Sequence, residues 1–437
     1  MKKKLLSALL CTTMVAAMLA GCGTSAATTE TTEADTATTE TTEATAEAEA
    51  PAASGDGIVY WSMWEATEPQ GQAIKEAADA YTADTGIAVD LQFKGRTGIR
   101  EGLQPALDAG TNIDLFDEDI DRVNGTWGNY LMDLEDLVKE NNYEETASAG
   151  LMAACREVGG GTLKSIPYQP NVFAFFYNKQ IFEEAGVTAA PTTWAEFLDT
   201  CEKVKAAGYT PLTNDDAYIT SLFGFHMSRL LGEAGTEDVV NNGDWDNPAV
   251  MQTAEDYADL AAKGYFSETI EGNVWPAGQN SELALGTAAM YLNGSWLPNE
   301  VKDIADFEWG CFSYPALEGG VDGTEAANYG AQVFAINKDS KKAAEAFGLI
   351  EYITKGEYDA KLSEMSVGIP SDSTNSEWPA LIADVKPVME SLTTRYPWAA
   401  GAEANADMTP IIKENMLKLC GGSIDAQGFV DALKAAK

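Results

Sequence analysis

A low-complexity stretch decides where folding of this chain can begin. Residues 23 to 57 are almost only Thr, Ala, Glu, Ser and Gly, with Thr-Thr-Glu reiterated and no aromatic or basic residue. Such a segment has too little apolar surface to offset the entropy of ordering, so it is expected to stay disordered. Its like charges repel and extend it. A folded part is therefore expected to start near Ile58 and run to the C-terminus. That length exceeds one comfortable hydrophobic core, so two lobes are expected.

Ahead of the stretch come Lys2 to Lys4, the mostly apolar run Leu5 to Leu19, and small residues. This is the pattern of a secretory signal. The run is shorter than the roughly 20 residues of a membrane span. Leu19-Ala20-Gly21-Cys22 resembles the bacterial lipobox. The resemblance implies cleavage before Cys22, with residues 1–21 as signal peptide, diacylglycerol on the Cys22 thiol and a further acyl chain on its amino group. Each buried methylene contributes about 0.8 kcal/mol, so two chains hold stably where one is marginal. Residues 22–57 would then be a lipidated tether holding the protein on the outer face of the cytoplasmic membrane.

Formal charge is −40. Residues 1–21 carry three lysines and no acid, and the tether carries eight acids and no base, which leaves −35 on residues 58–437. That field repels phosphate backbones and argues against nucleic acid as a partner. Cys155, Cys201, Cys311 and Cys420 are far apart and lack metal-ligand spacing; they allow three pairings among which sequence does not choose, and buried free thiols are the favoured reading. With a single histidine, His226, neither a Ser-His-Asp system nor a His-based metal site is expected. No cofactor and no metal are expected, and the protein is read as a monomer.

Strand and helix signals alternate along the folded part, as in an α/β chain. Ile58-Val-Tyr-Trp reads as a strand, and Gln70 to Asp84 has helical spacing with Ile74, Ala77, Ala78 and Tyr81 on one side. Gly86 stops it, and Ala88 to Phe93 alternates as a half-buried strand. Arg100 to Ala109 reads as helix, Ile113-Asp-Leu-Phe and Val172 to Tyr177 as strands. Thr193 and Glu196 form a capping-box pattern opening a helix to about Ala207. Asn328 to Asn337 is strand-like; Lys341 to Ile353, Met408 to Leu419 and Ala426 to Ala435 are helical.

Ile166-Pro-Tyr, Phe175-Phe-Tyr-Asn-Lys and Ile181-Phe-Glu-Glu-Ala-Gly, followed by Pro191-Thr-Thr-Trp-Ala-Glu-Phe, form an ordered set. Gly286-Thr-Ala-Ala-Met-Tyr-Leu-Asn-Gly-Ser-Trp, Tyr329-Gly-Ala-Gln-Val-Phe-Ala-Ile-Asn-Lys and Val367-Gly-Ile-Pro continue it. Together they resemble the bacterial extracellular solute-binding proteins of family 1, the carbohydrate-binding group related to maltose-binding protein. The resemblance implies a two-lobed periplasmic-binding-protein-like α/β fold, each lobe a sheet flanked by helices, with an interlobe ligand cleft and several hinge crossings. It implies residues 58–170 plus 315–370 in lobe 1 and 171–314 plus 371–437 in lobe 2. The crossings would fall near Pro170–Phe173, Tyr314–Leu317 and Ile369–Ser371.

A sugar ring has a C–H face and a rim of hydroxyls, so its site needs flat aromatics and oxygen-bearing or amide side chains. A buried polar group left unpaired costs about 1–3 kcal/mol, which rejects mismatched hydroxyls. Trp64 and Glu65 follow the first strand, where the family's first loop meets ligand. In Asp117-Glu-Asp-Ile-Asp-Arg, read as a loop, Glu118 stands where the related protein has an aromatic; Asp121 and Arg122 match its acid and arginine. The Asp117, Asp119, Asp121 spacing lacks the Gly and Glu of a calcium loop, at Arg122 and Gly128. Asn171 falls at a sugar-binding carboxylate of the first crossing, and Asp216 and Tyr218 match an acid and a tyrosine of the second lobe. Trp296 and Trp398 match stacking aromatics, and Trp275, before Pro276, is a further candidate. Tyr168, Gln332 and Asn328 are weaker ones.

The function implied is the capture subunit of an ATP-driven (ABC) importer, not an enzyme. It binds a mono- or oligosaccharide outside and passes it to permease subunits. A surface glycoside hydrolase, needing two carboxylates about a scissile bond, and a carbohydrate-binding adhesin are the alternatives.

Overall fold

The computed structural model describes residues 57–436; the expected signal peptide, Cys22 and tether lie outside the described residues. Among the described residues nine strands join into one mixed sheet: β1 (Ile58–Ser62), β2 (Val89–Phe93), β3 (Leu115–Asp119), β4 (Ile166–Asn178), β5 (Thr210–Leu212), β6 (Ala288–Gly294), β7 (Trp309–Phe312), β8 (Ala326–Ile336) and β9 (Thr394–Tyr396). The path is β2-β1-β3-β8-β4-β6-β5, with β7 on β4 and β9 on β8. β1 is parallel to β2 and β3, and β5 to β6. β8 is antiparallel to β3 and β4, and β4 to β6 and β7.

Two hydrophobic cores form along this path. The first holds Tyr60, Leu115, Tyr168 and Phe334 with the helices Pro69–Thr85 and Ala343–Thr354. Ile74, Ala77, Ala78 and Tyr81 are the buried stripe of the first of these, and Gly86 ends it in the left-handed region. The second core holds Phe173, Phe175, Leu292 and Phe312 with helices Trp194–Ala206, Ile219–Asn242, Pro248–Ala262 and Thr409–Gly421. Thr193 and Glu196 make the reciprocal capping box that opens Trp194–Ala206.

Strands β4 and β8 belong to both cores. Tyr168 packs in the first and Val172 in the second; Ala327 packs in the second and Ala331 in the first. The β4–β8 register slips between Tyr168 and Pro170, where proline offers no N–H and Gln169 takes φ 45°. The chain thus returns to the first core at Asn328–Gly330, not at Tyr314–Leu317. Arg229, fully buried, holds the intervening segment on the second core. Its guanidinium donates to the carbonyls of Tyr314 (2.8 Å), Pro315 (3.3 Å) and Ala326 (2.8 Å), and to the Tyr396 hydroxyl (2.8 Å). A buried cation needs such partners, so the segment follows the arginine. At the third passage Val367 and Ile369 pack in the second core, while the amides of Ser371 and Asp372 donate to Asp359 of the helix Gly356–Ser366 and the Ser373 amide to the Thr146 carbonyl.

The acidic run Asp117–Arg122 is regular structure rather than a loop. Pairing of β3 with β8 reaches Asp119 opposite Gln332, and Asp119 then caps the helix Ile120–Trp127 by accepting from the amides of Asp121 and Arg122. The helix expected from Arg100 begins at Gly95. His226 is buried between the Tyr314 hydroxyl and Asp256, each at 2.9 Å, and burial lowers its pKa. The four described cysteines are free; burial pushes Cys155 and Cys311 up to about 12 and raises Cys201 and Cys420 as well. Among the described residues no helix is long and apolar enough to cross a membrane.

One close approach is a test of the second core. A Cβ on Gly224 would sit 1.8 Å from the Ala399 carbonyl oxygen. Gly224→Ala must push the helix Ile219–Asn242 off the turn after Trp398, and a loss of about 2 kcal/mol or more is expected in urea unfolding. An unchanged midpoint would contradict this packing.

Candidate functional site

Register alone brings two sets of strand ends together. The parallel strands β1, β2 and β3 end at Ser62, Phe93 and Asp119, and Asp119 lies opposite Gln332, just past the β8 crossing. On the other side β5 and β6 end at Leu212 and Gly294, and Gly294 lies opposite Phe173, just past the β4 crossing. The carboxyl ends of both parallel sets therefore meet where the chain passes between cores, the usual place for a ligand in open α/β sheets.

The wall of the first lobe is built on a buried network. Trp64 follows β1 and is only 5% exposed. Its indole N–H donates to the Tyr168 hydroxyl at 2.8 Å, Tyr168 donates to Asp117 Oδ2, and Tyr60 donates to Asp117 Oδ1 at 3.0 Å. Burial pushes Asp117 up to about 7, against the pull of those hydroxyls and the Met63 amide. The guanidinium of Arg96 lies over the Trp64 ring, 4.7 Å from its centre. Trp64 is thus a packed support and not an open plate.

Other predicted residues of this wall are tied to protein partners. Glu65 is exposed, with Oε1 against Gly95, whose φ of 66° and lack of Cβ permit the contact. Glu118 is fully buried and binds Arg100 at 2.6 Å and Arg122 at 3.4 Å, so its carboxylate is directed at arginines; Arg122 itself is exposed. Asp121 reaches out of the first lobe: both its oxygens accept from Nη2 of Arg395 on β9, at 2.7 and 2.8 Å. Arg395 also donates to the Tyr329 carbonyl at 3.0 Å, so this pair spans the junction of the lobes.

The wall of the second lobe is aromatic. Phe173, buried, is its floor, with Trp296 and Trp398 edge-on at 5.3 Å each and Tyr218 at 5.9 Å. Gly294 opposite Phe173 leaves room for the indole of Trp296; a Cβ there would be 2.3 Å from the ring. Trp398 is 38% exposed and donates its N–H to Glu403 at 3.1 Å, whose other oxygen accepts from Thr220 at 2.7 Å. Trp275, 41% exposed, is held twice: its amide donates to Asp216 at 3.0 Å and its indole N–H to Glu300 at 3.4 Å. Glu300 is exposed as a residue, but its carboxylate is turned towards Trp275 and Asn280, and burial raises its pKa. Asp215 accepts from the amides of Ala217 and Tyr218 and from Tyr291, and burial pushes it up to about 6.

Tyr218, Trp296, Trp398, Trp275 and Asp216 are therefore assembled on one wall, with Asn171 half-buried on β4 two positions before Phe173. Tyr168 and Asn328 are buried supports, and Gln332 keeps a buried, unpaired side-chain oxygen beside the crossing. Sequence reasoning missed Phe173, Arg96, Glu300 and Glu403. Phe173 reads as core from its apolar run, whereas Arg96 stands just past the end of a strand, a signal that could have found it. Two surface depressions of about 380 and 210 Å³ lie elsewhere, lined by Tyr177, Phe182 and Val187 and by Leu107, Tyr130 and Asn337. They share no residue with these walls.

The sequence profile described as "Bacterial extracellular solute-binding protein" matches residues 65–360, and the chain belongs to that family. It is similar to the multiple sugar-binding protein of Streptococcus mutans, 27% identical over 48% of this chain and 53% of that protein. The diacetylchitobiose binding protein of Streptomyces coelicolor is 22% identical over 84% of this chain and 86% of its own length. Among solved structures, a probable secreted solute-binding lipoprotein from Streptomyces coelicolor has the same two-lobed fold, with a TM-score of 0.73 at 14% identity, covering 88% of this chain and 99% of that one.

Two measurements bear on these walls. Gly294→Ala displaces the Trp296 indole without removing any polar partner, so a red-shifted tryptophan emission is expected from a folded protein; an identical spectrum would contradict the contact. The second concerns pH. Asp117 keeps its proton to about 7 when folded but releases it near the ordinary carboxylate value when unfolded. Its contribution is full below that ordinary value and is lost as pH rises through 7, on the order of 2 kcal/mol between pH 5 and 8. Asp117→Asn should lose less melting temperature over that range than the wild type; equal slopes would refute the assignment.

Proposed function

We propose that this protein is the capture subunit of an ABC importer, holding a mono- or oligosaccharide between its lobes and handing it to membrane permease subunits. The observation that carries this reading is the convergence of Tyr218, Trp296 and Trp398 about Phe173 at the strand ends facing the crossing. Exposed indole faces suit the C–H faces of sugar rings, and the carboxylates of Asp216, Glu300 and Glu403 stand beside them to meet hydroxyls. The names of the multiple sugar-binding and diacetylchitobiose binding relatives support a saccharide. We read the protein as a binder and not an enzyme, as a monomer, and as anchored outside the cytoplasmic membrane through lipid on Cys22.

Contact with both lobes is what makes ligand close them, since equal affinity for open and closed forms moves nothing. The lobes proposed here are residues 58–168 with 331–373, and 172–327 with 374–436. A thermal-shift screen across a carbohydrate library is the direct test: a true ligand stabilises the folded form by about 2.7 kcal/mol at a hundredfold excess over its dissociation constant. No stabilisation by any saccharide would overturn the reading, and turnover of an oligosaccharide would favour a hydrolase. Trp296→Ala should weaken the saccharide found by more than about tenfold, since an aromatic pair alone is worth about 0.5–1.5 kcal/mol beyond the area it buries. Calorimetry giving equal affinity would remove Trp296 from the site.

A further inference from the structure

The first lobe carries a half-exposed cation just past a strand end at the crossing, and that cation is already paired. Arg96 stands just past the end of β2, on the helix Gly95–Asp108, with its guanidinium stacked on Trp64 at 4.7 Å. Its Nη1 binds Glu68 Oε1 at 2.8 Å. Glu68 is fixed in turn, because its other oxygen accepts from the Glu65 amide at 2.7 Å. The arginine side chain remains 41% exposed.

We propose that Arg96, neutralised by Glu68, is a specificity-determining residue that makes this site select neutral over acidic saccharides. This rests on the saccharide reading above. Stacking on Trp64 holds the planar fork in place, so Nε and Nη2 are pre-positioned to donate to ligand oxygens. A free guanidinium would draw a carboxylate into a bidentate, charge-assisted pair. Here Glu68 occupies one edge of the fork and cancels its charge. The facing wall adds Asp216, Glu300 and Glu403, so a uronate would meet net negative surroundings. Hydroxyl, ring or amide-carbonyl oxygens can accept from the remaining N–H groups without bringing a charge.

The test is calorimetry on the full-length chain in detergent. The probes are the neutral saccharide selected in the library screen and di- and trigalacturonate as the acidic arm. The wild type should prefer the neutral sugar. Glu68→Gln, which frees the Arg96 charge, should move the acidic-to-neutral affinity ratio at least tenfold towards the acid. Arg96→Gln should weaken the neutral sugar at least tenfold without that gain. A ratio of affinities is insensitive to a general loss of stability, and circular dichroism checks that both variants fold. An unchanged ratio in Glu68→Gln, or a wild type that binds galacturonate more tightly, would overturn the proposal while leaving the saccharide reading intact. A wild type that binds no saccharide would overturn both.

Discussion

The antiparallel pairing of β4 with β8 is the constraint on which the remaining structure depends. Each strand enters one core and leaves in the other, so a single hydrogen-bonded ladder carries both. Neither strand can shift without moving a whole set of buried side chains, since a slip of one residue turns every side chain to the opposite face. The irregular point of this ladder, at Gln169 and Pro170, falls between the cores. There a proline without an N–H and a residue in the left-handed region interrupt the pairing, and bending there costs few backbone bonds. The strand ends that bear the site are fixed by the same register: Asp119 through Gln332 and Gly294 through Phe173.

The two walls are held by different physics. On the first, a buried carboxylate gathers hydroxyls: Asp117 receives Tyr60 and Tyr168, and Tyr168 receives the indole of Trp64. On the second, edge-to-face rings pack around Phe173, and carboxylates hold the indole N–H groups of Trp275 and Trp398. The indole N–H groups of Trp64, Trp275 and Trp398 are all engaged by the protein itself. What Trp275 and Trp398 offer outward is ring face, which is the apolar part of a site that must also read hydroxyls.

Much of the fold was legible because it follows from local pattern. The stripe Ile74, Ala77, Ala78, Tyr81 and the capping box of Thr193 and Glu196 need only neighbours three or four residues away. Trp296 and Trp398 were singled out from the family's motif order, and both pack edge-on against Phe173. The acidic run at Asp117–Arg122 was not, because charge suggests solvent while pairing with β8 buries it. The fate of residues 314–326 depended on Arg229, nearly a hundred residues upstream, and no local signal records such a bond.

The sequence by itself determined the alternation of strand and helix and which aromatic and acidic side chains stand near strand ends. These follow from composition and short-range periodicity, which act along the chain. Only the tertiary structure decided which of those side chains face the cleft. Trp64 became a support when Arg96 covered it, and Glu118 and Asp121 were taken by arginines, while Trp296 and Trp398 were gathered about Phe173. Charge pairing and ring packing join residues distant in sequence, so their outcome is fixed by the register that brings the strands together.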